Sequence, residues 1–565
     1  MKYIKAFRFF SILIVSSLLF SLNLFAQTNV SDELEIKIDS IFKNFNDINK
    51  PGATVAVVKN QKIVFKKGYG SANLEYGIPN SPSTIFHIAS VSKQFTVFSI
   101  LLLEKEGKLS FDDDIRKYIP EVPDFGKIIT LRHLASHTSG MRDQWTLLSL
   151  AGWRDDDVFT KEHILKLVSQ QNELNFNPGE SYMYCNTGFT LLAEVVARIS
   201  GKTFAEFTQE RIFKPLNMIN TLFYDDHEKI VKNRAYSYHS ESDKKYKKSV
   251  LNYANVGATS LFTTVEDLAL WSMNFSSNIV GDKNIISKMN TLAVLNNGET
   301  FGRAYGQFVD KYKGLNQIQH SGSDAGYRSY LGRFPDQDFA VMVFSNLAQS
   351  NPRSLALQVT DLYLKDSFEK ESNATITSKI DVEYIKIPSE QLENLSGHFW
   401  NEDQKYARKI YVKNDTLRYF RGEGNEHSLV PITPKEFKMI GLNIDLRVMF
   451  SNPNEKRMMT VLINDDEPII SYEFTPPNYE ILELKEFLGE YFSPELNTTY
   501  KAILKDDKIT FTHARSSDFV ITAAKSDLFL FDGYRFMFER NDNNQITGFR
   551  VSAERVQNLL FKKLN

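Results

Sequence analysis

A serine followed three residues later by a lysine is the pair in this sequence with the clearest capacity for chemistry. A serine hydroxyl becomes a good nucleophile only when a neighbouring base takes its proton. Residues three apart share one face of a helix, so a Ser-x-x-Lys spacing places an amine beside the hydroxyl. The spacing occurs at Ser40, Ser90, Ser242 and Ser367, so it needs further support from sequence context.

Only one of these four serines stands in a suitable context. Ser90 and Lys93 directly precede the apolar segment 95–103, which predicts a buried helix ended by Gly107. A helix N-terminus favours negative charge on oxygen, and burial lowers the pKa of a lysine toward that of a useful base. We therefore predict Ser90 as a nucleophile beside Lys93. The alternative is that Ser90 only caps the helix.

A tyrosine and an asparagine form a second candidate group. Tyr184 and Asn186 follow a predicted turn at 177–180 and precede a predicted apolar helix at 189–199. A phenol near a cationic lysine can relay a proton, and an amide can bind a substrate carbonyl. A second Tyr-x-Asn at 253–255 shows that this motif is also weak by itself.

A third group lies just before a predicted hairpin at 330–344. His320, Gly322 and Ser323 suit an edge strand that borders a cleft. Gly322 would let a substrate approach the backbone, and the Ser323 amide would pair with the Ser90 amide as an oxyanion hole.

Periodicity predicts the elements that must position these groups. An amphipathic helix is expected at 31–45 and a buried hairpin at 53–65, and mostly helical patterns then run to about residue 250. Strands at both ends with helices between them predict a sheet domain with an inserted helical domain over 27–368. Residues 369–388 include a polar stretch that is typical of a linker.

The C-terminal part of the sequence repeats itself at a spacing of 92 residues. Two barrel-like β repeats are therefore predicted, at 389–476 and 477–565, and they account for much of the content of 43 Phe and 25 Tyr. The matching pairs are Gly397 and Gly489, Phe399 and Tyr491, Asp415 and Asp507, Leu417 and Ile509, and Phe437 and Phe529.

The N-terminus and the composition restrict location and partners. Residues 1–26 combine a basic start with an apolar stretch, which predicts a cleavable secretory signal and a periplasmic or secreted protein with no stable membrane span after cleavage. The alternative is an uncleaved N-terminal anchor. The 67 Lys and Arg balance 69 Asp and Glu, so no nucleic acid is expected as a partner. One cysteine excludes an intramolecular disulfide.

Taken in order, Ser-x-x-Lys, Tyr-x-Asn and His-x-Gly resemble the serine β-lactamase and penicillin-binding protein superfamily, in particular its class C β-lactamase, DD-peptidase, D-aminopeptidase and esterase branch. Segments 51–53, 129–141 and 215–218 also look like family landmarks, although Asn217 stands where glycine is usual. The resemblance covers about 340 residues. It implies an α/β (α+β) β-lactamase-like sheet domain with an inserted helical domain, followed by all-β barrel-like C-terminal repeats.

The resemblance also implies a role for each candidate residue. Ser90 would be acylated, Lys93 and Tyr184 would manage its proton, and Asn186 would orient the substrate. His320 would take the cationic or hydrogen-bonding position of the third motif, with Gly322 and Ser323 beside the substrate. The implied substrates are a D-amino-acid peptide, a β-lactam or an ester, with no cofactor and no metal.

The sequence leaves the identity of the acylation base and the preferred substrate open. Either Lys93 or Tyr184 can be the acylation base. Histidine replaces the lysine of the Lys-Thr-Gly found in typical β-lactamases, and because it is mostly neutral at pH 7 it disfavours efficient antibiotic hydrolysis. Oligomeric state does not follow from the sequence.

Other readings of the same residues are weaker. His133 and His137 are four apart, but Leu134 stands where a zinc protease needs glutamate, so structural roles are expected. Cys185 has no assigned base and is expected to be a packing residue. The alternative to an enzyme is a non-catalytic sensing or binding module in which the β repeats recognise a cell-wall or protein partner.

Overall fold

The chain forms two compact units that do not follow its linear order. The computed structural model describes residues 32–242, 245–369, 384–422, 425–442, 444–452, 456–464 and 467–564. Of the described residues, the first unit contains those up to 141, those in 155–169 and those from 176 to 369, and the second contains those in 142–154, in 170–175 and from 384 onward. Two short segments of the N-terminal half therefore belong to the C-terminal unit.

Some predictions concern residues that lie outside the described ranges. The secretory signal at 1–26 and most of the linker at 369–388 are among these, so both stay predictions, as do the domain boundaries. In the described part of the chain, no helix is both long and apolar enough to span a membrane.

The first unit is built on an antiparallel sheet whose central strands are buried on both faces. All seven residues of the strand Phe339–Ser345 are buried, as expected for a strand covered from two sides. Both predicted hairpins are present, and Asn60 and Gln61 have the positive φ angles that a tight two-residue turn requires. Across the sheet, the strands of the described residues are Arg303–Ala304, Gln307–Tyr312, Leu315–Asp324, Tyr327–Phe334, Phe339–Ser345, Ala53–Lys59 and Lys62–Tyr69.

Helices pack against this sheet and form a helical part between its strands. The terminal helices, 32–41 and Pro352–Leu364, share an apolar cluster with the sheet that includes Ile38, Val343 and Val359. The helix Val265–Ser277 packs on two central strands and is capped by Thr264, whose hydroxyl accepts a bond from the Asp267 N–H. The remaining described helices of this unit are Lys93–Lys105, Leu131–Ala135, Lys161–Ser169, Asn186–Ser200, Phe204–Thr208 and Lys283–Asn290. Its short strands are Ser71–Asn73, Ile78–Pro79, Phe86–His87, Phe159–Thr160, Leu222–Phe223, Tyr238–Ser242, Lys245–Lys248, Tyr253–Ala254 and Leu261–Thr263.

The second unit contains the two predicted β repeats. In the described part of the first repeat, eight strands close into a barrel, namely Gly397–Asn401, Tyr406–Lys413, Thr416–Gly422, Asn425–Thr433, Glu436–Met439, Leu446–Ser451, Met458–Ile463 and Ile469–Phe474. The described strands of the second form a nine-stranded sheet, namely Gly489–Ser493, Thr498–Lys505, Lys508–Thr512, Phe519–Val520, Thr522–Lys525, Leu528–Phe531, Tyr534–Arg540, Ile546–Ala553 and Val556–Lys563. The described α-helices of this unit are Gln144–Leu150, Ser389–Glu393 and Ile481–Leu484.

The 92-residue spacing reflects equivalent positions in the two β repeats. Asp415 and Asp507 both have positive φ, at 54° and 56°, in the turn between two strands. The apolar members of the matching pairs all lie in the cores, at 0–1% exposure, and they are Phe399, Leu417, Phe437, Tyr491, Ile509 and Phe529. The repetition therefore marks turn and core positions, and the second sheet lacks the full closure of the first.

Candidate active site

Ser90 lies on a strained turn directly before a buried helix. The α-helix begins at Lys93, so Ser90 belongs to the preceding 3-10 turn, Ala89–Ser92, and not to the first α-helical turn that the sequence suggested. Ala89 has a φ of +48°, a conformation that costs a residue with a Cβ about 1–2 kcal/mol. Its N–H donates to His87 Nδ1 at 3.2 Å, and its carbonyl accepts from the Ser92 hydroxyl. These bonds hold the strained turn in place.

The Lys93 amine is fully buried and lies within hydrogen-bond distance of Ser90. Its Nζ is 3.1 Å from Ser90 Oγ, 2.9 Å from Asn186 Oδ1 and 2.7 Å from the carbonyl of Ala258. The asparagine oxygen and the carbonyl can only accept, so Lys93 must donate to both. The contact with Ser90 can run in either direction, since an ammonium donates to Oγ and a neutral amine accepts the serine proton. Lys93 can therefore take that proton without losing its other two bonds.

Tyr184 and Asn186 meet the lysine from the start of the helix Asn186–Ser200. The Lys93 Nζ lies 5.0 Å from the centre of the Tyr184 ring, so the amine faces the aromatic side chain. The His137 ring stacks on the Tyr184 ring, with 4.2 Å between their centres. The His137 Nδ1 accepts from the Cys185 N–H at 3.0 Å and so fixes the backbone between the two predicted site residues.

The third predicted group lies on the strand Leu315–Asp324. Residues 315–319 pair with the strand Gln307–Tyr312, whereas among the described strands residues 320–324 pair only with Tyr327–Phe334. The segment that holds His320, Gly322 and Ser323 is therefore an edge, as the sequence predicted. An edge of this kind presents backbone groups to an incoming substrate.

His320 is neutral in this environment. Burial, reinforced by the charge of Lys93, lowers its pKa to about 3. Its Nδ1 donates to the carbonyl of Ser321 at 2.6 Å, so Nε2 carries a lone pair, and no described residue donates to that buried atom. Of the two roles that the resemblance implied for this position, only the hydrogen-bonding one fits. The ring packs between Phe308, 4.6 Å away, and Tyr184, 6.3 Å away.

Gly322 is needed for a different contact from the one the sequence suggested. A Cβ at this position would lie 2.2 Å from the carbonyl oxygen of Ile88 and 2.3 Å from Ser329 Oγ. The missing side chain therefore lets the edge strand close on the turn that carries Ser90. Ser329 Oγ bonds the same Ile88 carbonyl at 2.7 Å, which reinforces the approach.

Sequence reasoning missed a carboxylate one residue beyond this motif. The Asp324 carboxylate accepts a bond from the Thr259 hydroxyl, and Thr259 directly follows the Ala258 carbonyl that binds Lys93. Burial, opposed by that hydrogen bond and by Lys93, raises the pKa of Asp324 to about 6. The available signal was a charged residue directly after Ser323 at the end of the strand Leu315–Asp324.

The remaining candidates have structural explanations. His133 Nδ1 accepts from the N–H of Thr130 and so caps its own helix. Cys185 is a free thiol, 2% exposed, in keeping with a packing role. Across the described residues, no group of three or more His, Cys, Asp or Glu side chains is arranged to hold a metal ion.

The structure has the features that the resemblance to the serine β-lactamase and penicillin-binding protein superfamily implied. These are an antiparallel sheet, a helical part between its strands and a buried lysine beside a serine. The chain belongs to the Beta-lactamase family, whose model matches residues 38–363. It is thus a member of the serine β-lactamase and penicillin-binding protein superfamily.

Similar proteins cover only part of this chain or are only partly covered by it. A D-aminopeptidase of Gluconobacter oxydans is 26% identical over 52% of this chain and 56% of its own length. Protein flp of Staphylococcus aureus is 28% identical over 57% of this chain and 64% of its own length. The chain therefore spans less than two thirds of either relative.

A solved structure resembles the fold over a longer stretch. The octameric penicillin-binding protein homologue from Pyrococcus abyssi has a TM-score of 0.55 and 22% identity, and the match covers 78% of this chain and 99% of that one. At this identity the likeness concerns the fold alone.

Proposed function

We propose that this protein is a secreted serine hydrolase that forms an acyl-enzyme at Ser90 and cleaves amide or ester bonds. The observation that carries the proposal is the buried Lys93 amine, 3.1 Å from Ser90 Oγ and held by Asn186 and the Ala258 carbonyl. This is the arrangement of a nucleophile and an adjacent base whose position is fixed by third groups.

The proposed reaction has two stages, acylation of Ser90 and hydrolysis of the acyl-serine. Ser90 Oγ attacks the substrate carbonyl, and its proton passes to Lys93 or Tyr184. The amide groups of Ser90 and Ser323 receive the negative oxygen, and Asn186 orients the acyl group. The leaving amine or alcohol takes the proton as the bond to the carbonyl carbon breaks. Water then attacks the acyl-serine, returning its proton to the serine and releasing an acid.

The substrate class we propose is D-amino-acid amides and short peptides, with esters as simpler substrates. The similarity to a D-aminopeptidase supports D-amino-acid substrates. The neutral state of His320 argues against strong charge pairing with a substrate carboxylate, and hence against efficient turnover of β-lactams, which carry one.

Intact-mass spectrometry on the full chain tests the proposal. Incubation with a fluorescent penicillin, p-nitrophenyl acetate or D-alanine p-nitroanilide is expected to add an acyl group to Ser90, and turnover of p-nitrophenyl acetate is expected to be lost in Ser90→Ala. Cys185→Ala is the matched control and is expected to keep both acylation and turnover.

The competing function is a sensing or binding module that uses the C-terminal β repeats. An unchanged mass with all three reagents would support that module and overturn the hydrolase. Activity that survives in Ser90→Ala but disappears in Cys185→Ala would overturn the serine mechanism specifically.

A further inference from the structure

Asp324 is a mostly buried carboxylate with little compensation for its charge. Its side chain keeps 15% exposure, and its one protein hydrogen bond comes from the Thr259 hydroxyl to Oδ2. Among the described residues, no lysine or arginine nitrogen lies within ion-pair distance of it. Burying a carboxylate under such conditions is costly unless a cation or further donors complete its surroundings.

The charged and titratable groups around Asp324 do not supply that cation. The charge of Arg328 lowers the pKa of Asp324, but Arg328 forms no ion pair with it and directs Nη1 to the carbonyls of Ala325 and Tyr327. His87 approaches to 4.0 Å but is uncharged, because burial and the charge of Arg234 lower its pKa to about 3. Tyr253 is a neutral phenol, because burial and then the charge of Asp324 raise its pKa.

Lys93 influences Asp324 but is committed elsewhere. It lowers the pKa of Asp324 through its charge, while its Nζ bonds Ser90, Asn186 and the Ala258 carbonyl. One of the charges that stabilise ionised Asp324 therefore belongs to a candidate base of the reaction, and that contribution disappears whenever Lys93 is neutral. A second positive group on the substrate would stabilise Asp324 at that stage.

The position of Asp324 fits a substrate contact. It directly follows Ser323, whose amide we place in the oxyanion hole, and it bonds the residue after Ala258. A group bound by Asp324 would therefore lie beside the strand residue whose amide we place at the scissile carbonyl. Its second oxygen has no hydrogen-bond donor among the described residues.

We infer that Asp324 is a specificity-determining residue that accepts the ammonium of a substrate whose scissile carbonyl carries an adjacent amino group. The inference rests on the proposed function, because it concerns the substrate of the same site. The lone pair on His320 Nε2 is a second acceptor in this region and likewise favours a donor over a carboxylate.

The test compares substrates that differ only in the amino group. D-Alanine p-nitroanilide carries the ammonium, its N-acetyl derivative does not, and p-nitrophenyl acetate reports the acylation machinery alone. Asp324→Asn keeps the shape and an oxygen for the Thr259 hydroxyl while removing the charge. Asp336→Asn, at an exposed carboxylate near the far end of the same strand pair, is the matched control.

Asp324→Asn is expected to raise KM for D-alanine p-nitroanilide about 10- to 100-fold, the effect of losing a hydrogen bond between charged groups. Its loss on p-nitrophenyl acetate, which has no amino group, should be at least about tenfold smaller than its loss on D-alanine p-nitroanilide. Thr259→Val should keep the preference for the ammonium, since it leaves the charge in place. An equal loss on the ester and the anilide would show a structural role and overturn the inference, as would an unchanged KM.

Failure of the proposed function has a different signature. If no reagent acylates Ser90, the hydrolase itself is wrong. If the ester is hydrolysed but D-alanine p-nitroanilide is neither hydrolysed nor able to compete with the ester, only the ammonium contact is wrong.

The dependence of KM on pH gives a second readout. Asp324 is ionised above its pKa of about 6, so KM for the ammonium substrate should rise as the pH falls through 6. Asp324→Asn should remove this rise, whereas Asp336→Asn should keep it. A wild-type KM that is flat between pH 5 and pH 7 would contradict the assignment.

Discussion

Replacing Gly322 by alanine should separate the edge strand from the turn that carries Ser90. The added Cβ would lie 2.2 Å from the carbonyl oxygen of Ile88, 2.3 Å from Ser329 Oγ and 3.1 Å from the Ala89 Cβ. Contacts below 3.0 Å are essentially never seen for a real Cβ, so the backbone must move by at least about 0.8 Å at this point.

The Ile88 carbonyl cannot turn away at little cost. It accepts the Ser329 hydroxyl at 2.7 Å, and the Ile88 N–H donates to the carbonyl of Leu261 at 3.0 Å. The movement must therefore displace either the strand with the Ser323 amide or the turn with Ser90. A misplacement of about 1 Å between reacting groups costs roughly 100-fold in rate.

The assay is the rate of Ser90 acylation by p-nitrophenyl acetate, measured by intact mass, together with thermal unfolding of the same samples. Gly548→Ala is the matched control, because its Cβ would lie 2.4 Å from the Phe561 carbonyl between two strands of the C-terminal unit. We expect Gly322→Ala to acylate about 100-fold more slowly and Gly548→Ala to lose stability at an unchanged rate. Wild-type acylation in folded Gly322→Ala would refute the reasoning.

Two further predictions concern stability. Asn346→Ala removes buried bonds from the Gly52 N–H at 2.7 Å and to the Ser71 carbonyl at 3.0 Å, and should lower the free energy of unfolding by about 3–5 kcal/mol in urea titrations. Loss of less than about 1 kcal/mol would contradict this. Arg142→Met leaves the buried Glu495, 2.6 Å from the guanidinium in the C-terminal unit, without its partner, and should cost about 3–5 kcal/mol. The double replacement by Met at both positions should recover most of that loss, and its failure to do so would show that packing, not charge, explains the effect.

The parts of the site that the sequence could predict are those that depend on residue type. A hydroxyl, an amine, a phenol and an amide have distinctive chemistry, and the spacing of Ser90 and Lys93 constrains their geometry directly. The two β repeats were equally accessible, because Asp415 and Asp507 need a residue that tolerates positive φ and the core positions need large apolar side chains.

What the sequence could not predict depends on backbone atoms and on contacts between distant segments. The third partner of Lys93 is the carbonyl of Ala258, and any residue type carries a carbonyl, so no pattern identifies it. Gly322 was recognised as a site residue, but the direction of its missing Cβ toward Ile88 needs the fold. The assignment of segments 142–154 and 170–175 to the C-terminal unit likewise reflects contacts such as Arg142 with Glu495, over 350 positions apart.

The electrostatics of the site follow from burial more than from residue identity. In water His320 would be partly charged near pH 6.5 and Asp324 would be charged above pH 4, so their types suggest an ion-pairing couple. Burial reverses this expectation, since it keeps His320 neutral and holds Asp324 near half-ionisation at pH 6. The positive charge beside Ser90 is then that of Lys93, which would have to be neutral if it accepts the serine proton. A substrate that brings its own positive charge stabilises Asp324 and opposes protonation of Lys93 at the same time. Substrate binding and activation of the base would then be coupled through one local field. The most informative single measurement on this site is therefore the change in KM for D-alanine p-nitroanilide that Asp324→Asn causes.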